Sequence, residues 1–278
     1  MVKSFKITNQ IKKIMVDRYK LFMTTPPNYA SHAFKLATFN IVIYDSLKVV
    51  FSGDFGDAEV DQWIMKTTYY DTNIIGSDEV GNGDFFGPLV VCASFISDDN
   101  LKEIKKLNVM DSKNYDDNKI IILASKLKKI VKYSIVECNN NRYNELYSKG
   151  YNIKSILAIM HKKAIDSLNI KTRVVIDQFV NKQTFEKYVN TKVNYIFETK
   201  GESKYLAIAV SSIIARDCFV RRMNIIADEL GVDKIKYGAS RECDLLAKCL
   251  LNEHGSDILE MYIKKNFVNY KKIMEEVL

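Results

Sequence analysis

Acidic side chains stand at strand ends in this chain, where packing alone rarely puts them. The β-rich run Thr72–Val80 carries the adjacent Asp78 and Glu79 and passes directly into Gly81-Asn82-Gly83-Asp84. A second β-branched run, Val174-Val175-Ile176, ends in Asp177, and a third, Val193–Glu198, leads into Lys200-Gly201-Glu202-Ser203. A desolvated carboxylate costs several kcal/mol, on the order of a lost buried ion pair, unless a cation or donor satisfies it. The glycines allow positive φ and close backbone approach, so their N–H groups could meet a ligand's oxygens. Local roles would use the same residues: Asp78 could accept backbone N–H bonds in a turn, and Ser203 or Glu202 could cap the helix that follows. Carboxylates without His or Cys partners select hard cations, Mg²⁺ or Mn²⁺, over zinc. Such ions keep open positions for water and phosphate oxygens, which points to phosphodiester chemistry. Two of them about 3.5–4 Å apart can activate a water and stabilise the leaving oxygen without a side-chain base. That suits a chain with three histidines, of which His161 lies on a helical face and reads as a packed or solvated residue. No Ser-His-Asp or Cys-His pairing, Walker loop or dinucleotide fingerprint is present.

The elements that would position these acids are legible in outline. Pro26-Pro27 marks a turn after a short helix over Ile11–Phe22, and Ala33–Val50 reads as a hairpin around Asp45-Ser46. A helix opens at Asp57 with acids in its first turn, where they complement the dipole. From Thr72 onward strands alternate with longer helices: strands at 72–80, 88–96, 133–138, 173–176 and 193–198, helices at 118–131, 153–168 and 204–229, then two or three helices around Gly255. This order predicts an α/β fold, a mixed sheet flanked by helices, preceded by a small α+β unit. The division falls at 1–70 and 71–278, in keeping with 278 residues at about 150 per domain.

Composition narrows the classes. Hydrophobic residues make up 47% and charged residues 27%, which excludes a disordered, fibrous or membrane-bundle chain. Forty-one basic against 34 acidic residues give a net charge of +7, favouring a polyanionic partner. The five cysteines are scattered and never spaced C-x-x-C, so reduced thiols are expected. Without a secretory signal or a long apolar stretch, the expected setting is the cytoplasm with no membrane partner.

Asp78-Glu79-Val80-Gly81-Asn82-Gly83 resembles the D-E-x-G-x-G motif of type 2 ribonucleases H. Asp111-Ser112-Lys113 is similar to their D-S-K element, and Ile176-Asp177-Gln178-Phe179 to the strand of the third acid. Lys200-Gly201-Glu202-Ser203, followed by Ser211-Ser212-Ile213-Ile214-Ala215-Arg216, resembles the fourth acid and its helix. Glu202 in place of Asp, together with Phe85-Phe86-Gly87-Pro88, looks like the ribonuclease HIII branch. The resemblance spans about Thr72–Phe267, and the N-terminal segment is similar to that branch's TATA-binding-protein-like domain. It implies a ribonuclease H-like fold and an endonuclease that hydrolyses the RNA strand of RNA·DNA hybrids, leaving 3′-hydroxyl and 5′-phosphate ends. Asp78, Glu79, Asp177 and Glu202 would be catalytic and hold two Mg²⁺ or Mn²⁺ ions, with Asp78 shared. The Gly81-Asn82-Gly83 backbone would contact RNA 2′-hydroxyls, and Ser112, Lys113 and Ser203 phosphates. Residues 1–70, with a net charge of +3, would add substrate affinity. The rivals are incision at single embedded ribonucleotides, as in ribonuclease HII, and a hybrid-binding module without chemistry. A monomer with no obligate protein partner is expected.

Overall fold

Residues 1–67, 71–109, 112, 115–190 and 193–277 are described by the computed structural model. The chain divides into two compact units, Met1–Tyr69 and Tyr70–Leu278. In the first, strands β1 (Val2–Lys6), β2 (Met23–Thr24), β3 (Ala30–Lys35), β4 (Phe39–Tyr44) and β5 (Lys48–Gly53) form an antiparallel sheet in the order β1-β5-β4-β3-β2. Helices α1 (Asn9–Tyr19) and α2 (Asp57–Thr67) complete the unit. Thr8 caps α1 by accepting the Ile11 N–H at 3.2 Å. Alternation decides which face is covered: Phe34, Ile41, Ile43, Val49 and Phe51 are buried with Met15, Val60 and Trp63. The expected single hairpin is thus part of a three-strand meander flanked by β1 and β2. Lys3 and Lys6, within Val2-Lys3-Ser4-Phe5-Lys6, mask β1 in the sequence, and the expected helix over 11–22 ends as α1 at Tyr19 with a 3₁₀ turn over Lys20–Phe22.

The second unit is built around β6 (Ile74–Val80). It is followed by β7 (Leu89–Ile96), α3 (Asp98–Lys106), α4 (Asp117–Ile130), β8 (Lys132–Cys138), α5 (Asn140–Ser148) and α6 (Ile153–Ser167). Then come β9 (Arg173–Asp177), α7 (Lys182–Val189), β10 (Tyr195–Glu198), α8 (Leu206–Glu229), α9 (Arg241–Glu260, interrupted at Gly255) and α10 (Val268–Val277). The sheet order is β10-β9-β6-β7-β8, antiparallel from β6 to β8 and parallel from β6 through β9 to β10. This is the expected mixed sheet with helices on both faces. Ile74, Val90, Cys92 and Val175 pack with α4 and α8, whereas Ile75, Val91, Val174 and Ile176 pack with α6 and α7. Helices α3, α5 and α7 are absent from the sequence expectation because each buries few apolar side chains, Ile104 alone in α3 and Phe185 alone in α7. Their signals are caps instead: Ser97, Asn139 and Asn181 each accept the N–H three residues on.

α8 lies directly on the middle strand. A Cβ on Gly76 would fall 2.2 Å from the Ala207 carbonyl carbon and 2.4 Å from the Ile208 nitrogen, so only glycine permits this approach. Ser211 then donates to the Gly76 carbonyl at 2.9 Å and Ser94 to the Ala207 carbonyl at 3.1 Å, satisfying buried polar groups at the crossing. Among the described residues no helix is long and apolar enough to cross a membrane.

Candidate active site

Register brings the acids together. Ser77 of β6 is level with Ile176 of the parallel β9, so the next residues, Asp78 and Asp177, lie side by side where the pairing of the two strands ends, on the α8 side of the sheet. Glu79 points to the other face, toward α6. Glu202 arrives from a 3₁₀ turn, Gly201–Ser203, that follows β10. Lys200 opens that turn in the left-handed region (φ 54°). All four acids line one open pocket of about 490 Å³, with Gly81, Asn82, Gly83 and Ser112.

Asp78, Glu79 and Asp177 are each oriented by a neighbour. Asp78 is 6% exposed and accepts the Glu79 N–H at 2.8 Å. Burial, then the Glu79 and Asp177 carboxylates, push its proton affinity well above the usual carboxylate range, while the Ser212 hydroxyl and the Glu79 N–H pull the other way. Asp177 Oδ1 accepts the Gly201 N–H at 2.7 Å, which joins the β9 end to the turn carrying Glu202. The hydroxyls of Ser112 and Ser212 lie 2.9 Å apart, extending the Asp78 contacts to the loop before α4. Arg216, one helical turn beyond Ser212, donates to the Ser112 carbonyl at 2.9 Å and reaches Asp117 at 3.5 Å.

His161 is the residue whose role the sequence hides. It is fully buried on α6, its Nε2 3.0 Å from Glu79 Oε2 and its Nδ1 2.7 Å from Ser77 Oγ. Burial lowers its pKa to about 3, against the opposing field of Asp177, so the ring is neutral. A neutral ring with its proton on Nε2 donates to the Glu79 carboxylate, fixing Glu79 by hydrogen bonding and not by a charged pair, while Nδ1 lies against the Ser77 hydroxyl, which also reaches the Cys92 carbonyl at 3.0 Å. The ring also stacks on Phe179 at 4.9 Å. The expectation of a packed histidine agrees with this burial; what the sequence does not show is the hydrogen bond to Glu79. The only local trace is a histidine on the apolar face of Ile156, Leu157 and Met160.

Other residues separate. Gly81 needs its glycine, with φ +93° and a Cβ that would meet the Pro88 carbonyl oxygen at 2.1 Å; around Gly83 there is open space. Ser203 does not line the pocket: it is exposed and its hydroxyl donates to the Lys200 carbonyl at 2.8 Å. Neither Ser203 nor Glu202 caps α8, whose N-cap is Tyr205. Asp111 and Lys113 lie outside the described residues. Ser212, Arg216, Phe219, Val220 and Tyr237 also line the pocket. The first four share one helix face at i, i+4, i+7 and i+8, a spacing readable in the sequence once 212 is known to face the site.

Among the described residues, no three His, Cys, Asp or Glu side chains already close around one point; the acids line a shared, solvent-open pocket. The donor set nevertheless fits a hard divalent cation. It is all carboxylate, and the like charges crowding Asp78 are what such a cation relieves.

The family described as Ribonuclease HII matches residues 75–270. A Ribonuclease HIII of Staphylococcus haemolyticus is 37% identical, with 84% of each chain covered, and one of Listeria monocytogenes is 34% identical, covering 91% of this chain and 90% of the relative. Among solved structures, Bst-RNase HIII in complex with Mn²⁺ superposes with a TM-score of 0.72 at 25% identity over 99% of both chains.

Proposed function

Because this chain belongs to the type 2 ribonuclease H family, in its ribonuclease HIII branch, we propose that it is an endonuclease cutting the RNA strand of RNA·DNA hybrids to 3′-hydroxyl and 5′-phosphate ends. The observation that carries this reading is the convergence of Asp78, Glu79, Asp177 and Glu202 on one pocket beside the glycine turn. Those four side chains would hold Mg²⁺ or Mn²⁺, two during turnover, supplying Lewis-acid activation of water and charge for the leaving 3′ oxygen. The Mn²⁺ in the Bst-RNase HIII structure supports the metal assignment.

The chain's own residues perform the rest. Gly201 and the Glu79 backbone hold one oxygen each of Asp177 and Asp78, leaving the second oxygen of each carboxylate directed by neighbours other than these. The open Gly81-Asn82-Gly83 backbone is suited to the 2′-hydroxyls that distinguish RNA from DNA, and Ser112 stands near enough to contribute to a phosphate contact. The N-terminal unit would supply a second, weak anion-binding surface: Lys12, Lys13 and His32 line a recess of about 690 Å³ within it, together with Lys20 and Asp17, which pair at 3.2 Å. Tethering two weak surfaces raises affinity without new contacts at the active site.

A labelled hybrid tests the reading. A cleavage ladder with 3′-hydroxyl ends is expected with Mg²⁺ or Mn²⁺ and none with chelator, and a duplex with one embedded ribonucleotide should be cut far less well than one with several in succession. Absence of any ladder with either ion refutes the nuclease; equal cutting at a lone ribonucleotide favours the ribonuclease HII-like rival. His161→Phe keeps the stack on Phe179 but removes the donor to Glu79. We expect divalent-ion affinity, measured by titration calorimetry, to fall about 10- to 100-fold. Unaltered affinity would show that Glu79 needs no such support.

A further inference from the structure

Lys264 lies in the segment between α9 and α10, yet its side chain is 0% exposed. Its Nζ donates to the carbonyl oxygens of Asp84 at 2.7 Å and Gly87 at 2.5 Å, and its own N–H donates to the Phe85 carbonyl at 3.0 Å. Among the described residues no carboxylate lies within ion-pair distance of it. A buried ammonium held by carbonyls alone is costly, and neutral side chains would fill the space with less desolvation. What distinguishes the position is the backbone it grips: the far half of the turn whose near half, Gly81–Gly83, faces the pocket.

We infer that Lys264 is a positioning residue for hybrid recognition, clamping Asp84 and Gly87 from beneath so that the Gly81–Gly83 backbone is held at the height the RNA strand requires. The inference rests on the proposed role of that turn. The other ties on the turn lie to either side, three between backbone groups and one to a carboxylate: Asp84 N–H to the Gly81 carbonyl at 3.3 Å, Phe85 N–H to the Gly238 carbonyl at 2.9 Å, Gly87 N–H to the Tyr262 carbonyl at 2.9 Å, and Gly238 N–H to Asp84 Oδ1 at 2.6 Å. Asn140 shares the Gly87 carbonyl at 2.9 Å. Among the described residues Lys264 alone spans the turn from Asp84 to Gly87 with one group, and charge makes its bonds stronger than neutral ones.

Burial also lowers the ammonium's pKa to about 7, opposed by the Asp84 carboxylate and the Cys138 thiol. Those two are the titratable groups facing it; Cys138 is itself pushed up to about 11, and Asn140 and Asn144 of α5 bring only amides. As pH rises through about 7 the clamp loses its charge and the turn loosens, so the effect falls on substrate binding more than on the chemical step.

Steady-state kinetics of the full chain on an RNA·DNA hybrid at fixed divalent-ion concentration test this. For K264M we expect KM to rise about tenfold with kcat within about twofold of the parent, because an interaction made equally in ground and transition states is removed. K264Q, which keeps a neutral donor, should recover part of the loss and show a KM that no longer depends on pH near neutrality. In the parent chain KM should climb as pH passes through about 7. An unchanged KM in K264M, or a loss confined to kcat, overturns the inference. Should K264M fail to fold, a parent KM that is flat across that pH range overturns it and a climbing one supports it. Failure of the underlying nuclease reading looks different, since the parent chain then cleaves no hybrid and both fall.

Discussion

Asp78→Asn is expected to abolish hybrid cleavage, with a fall in kcat of at least about 10³-fold, while the variant still binds hybrid. The side chain keeps its size and can still accept the Glu79 N–H, so the strand end need not move. What goes is one negative charge from the group that the other acids surround. A divalent ion contributes several kcal/mol of transition-state charge stabilisation, and about 4 kcal/mol corresponds to about 10³-fold. Electrophoretic binding and single-turnover cleavage of the same labelled hybrid separate the two effects; full turnover in the variant removes Asp78 from the chemistry. The substitution has an opposite effect on the metal-free fold. An acid whose folded pKa is raised stabilises the fold most fully below its unfolded value near 3.8, and that contribution is lost as pH rises through the folded value. At neutral pH the metal-free Asn variant should therefore melt above the metal-free parent. The difference should shrink at acid pH, and also when Mg²⁺ or Mn²⁺ is added, because the ion then stabilises only the parent's carboxylate cluster.

Gly76→Ala is the largest stability effect expected outside the acids. The added Cβ would meet backbone atoms of Ala207 and Ile208 at 2.2–2.4 Å, and backbone in the first turn of a helix buried along most of its length cannot swing aside as a side-chain tip can. Overpacking of this kind costs about 3 kcal/mol. For a domain of this size that lowers the melting temperature by about 6–12 °C. Displacing α8 also carries Ser212 away from Asp78, so activity should fall even below the melting transition. An unchanged melting curve in differential scanning calorimetry would show that the helix is not seated on β6 through that glycine.

The acids were legible because their signal is local: Asp78 and Asp177 each close an apolar run, and Glu202 follows a short strand. Their meeting was implied by the family resemblance and not by the runs themselves, since it depends on β9 pairing parallel to β6 across a long stretch of chain, and nothing in either run specifies its neighbour. His161 shows the same limit more sharply. Its apolar helix face reads as packing, and only the tertiary fold reveals that Glu79 and Ser77 are its partners. Ser203, given a phosphate contact by the resemblance, stands outside the pocket with its hydroxyl donated to the Lys200 carbonyl. In the N-terminal unit the meander's inner strands were visible as alternation, whereas β1 was hidden by its lysines and β2 by having only two residues. Lys264 left no trace at all, because a lysine in a Lys-rich tail is indistinguishable from a solvated one until its burial is known.

The seating of α8 on the central strand also dictates when the enzyme can come into being during synthesis. β6, β7 and β8 are made early and pair with near neighbours, but β6 keeps one edge bare until β9 has been translated, and its Gly76 face stays uncovered until Leu206 and the residues after it have cleared the ribosome. Nascent chains stalled short of α8 thus lack the completed active site while presenting an unpaired strand edge and an apolar sheet face, the state in which a protein most depends on chaperones.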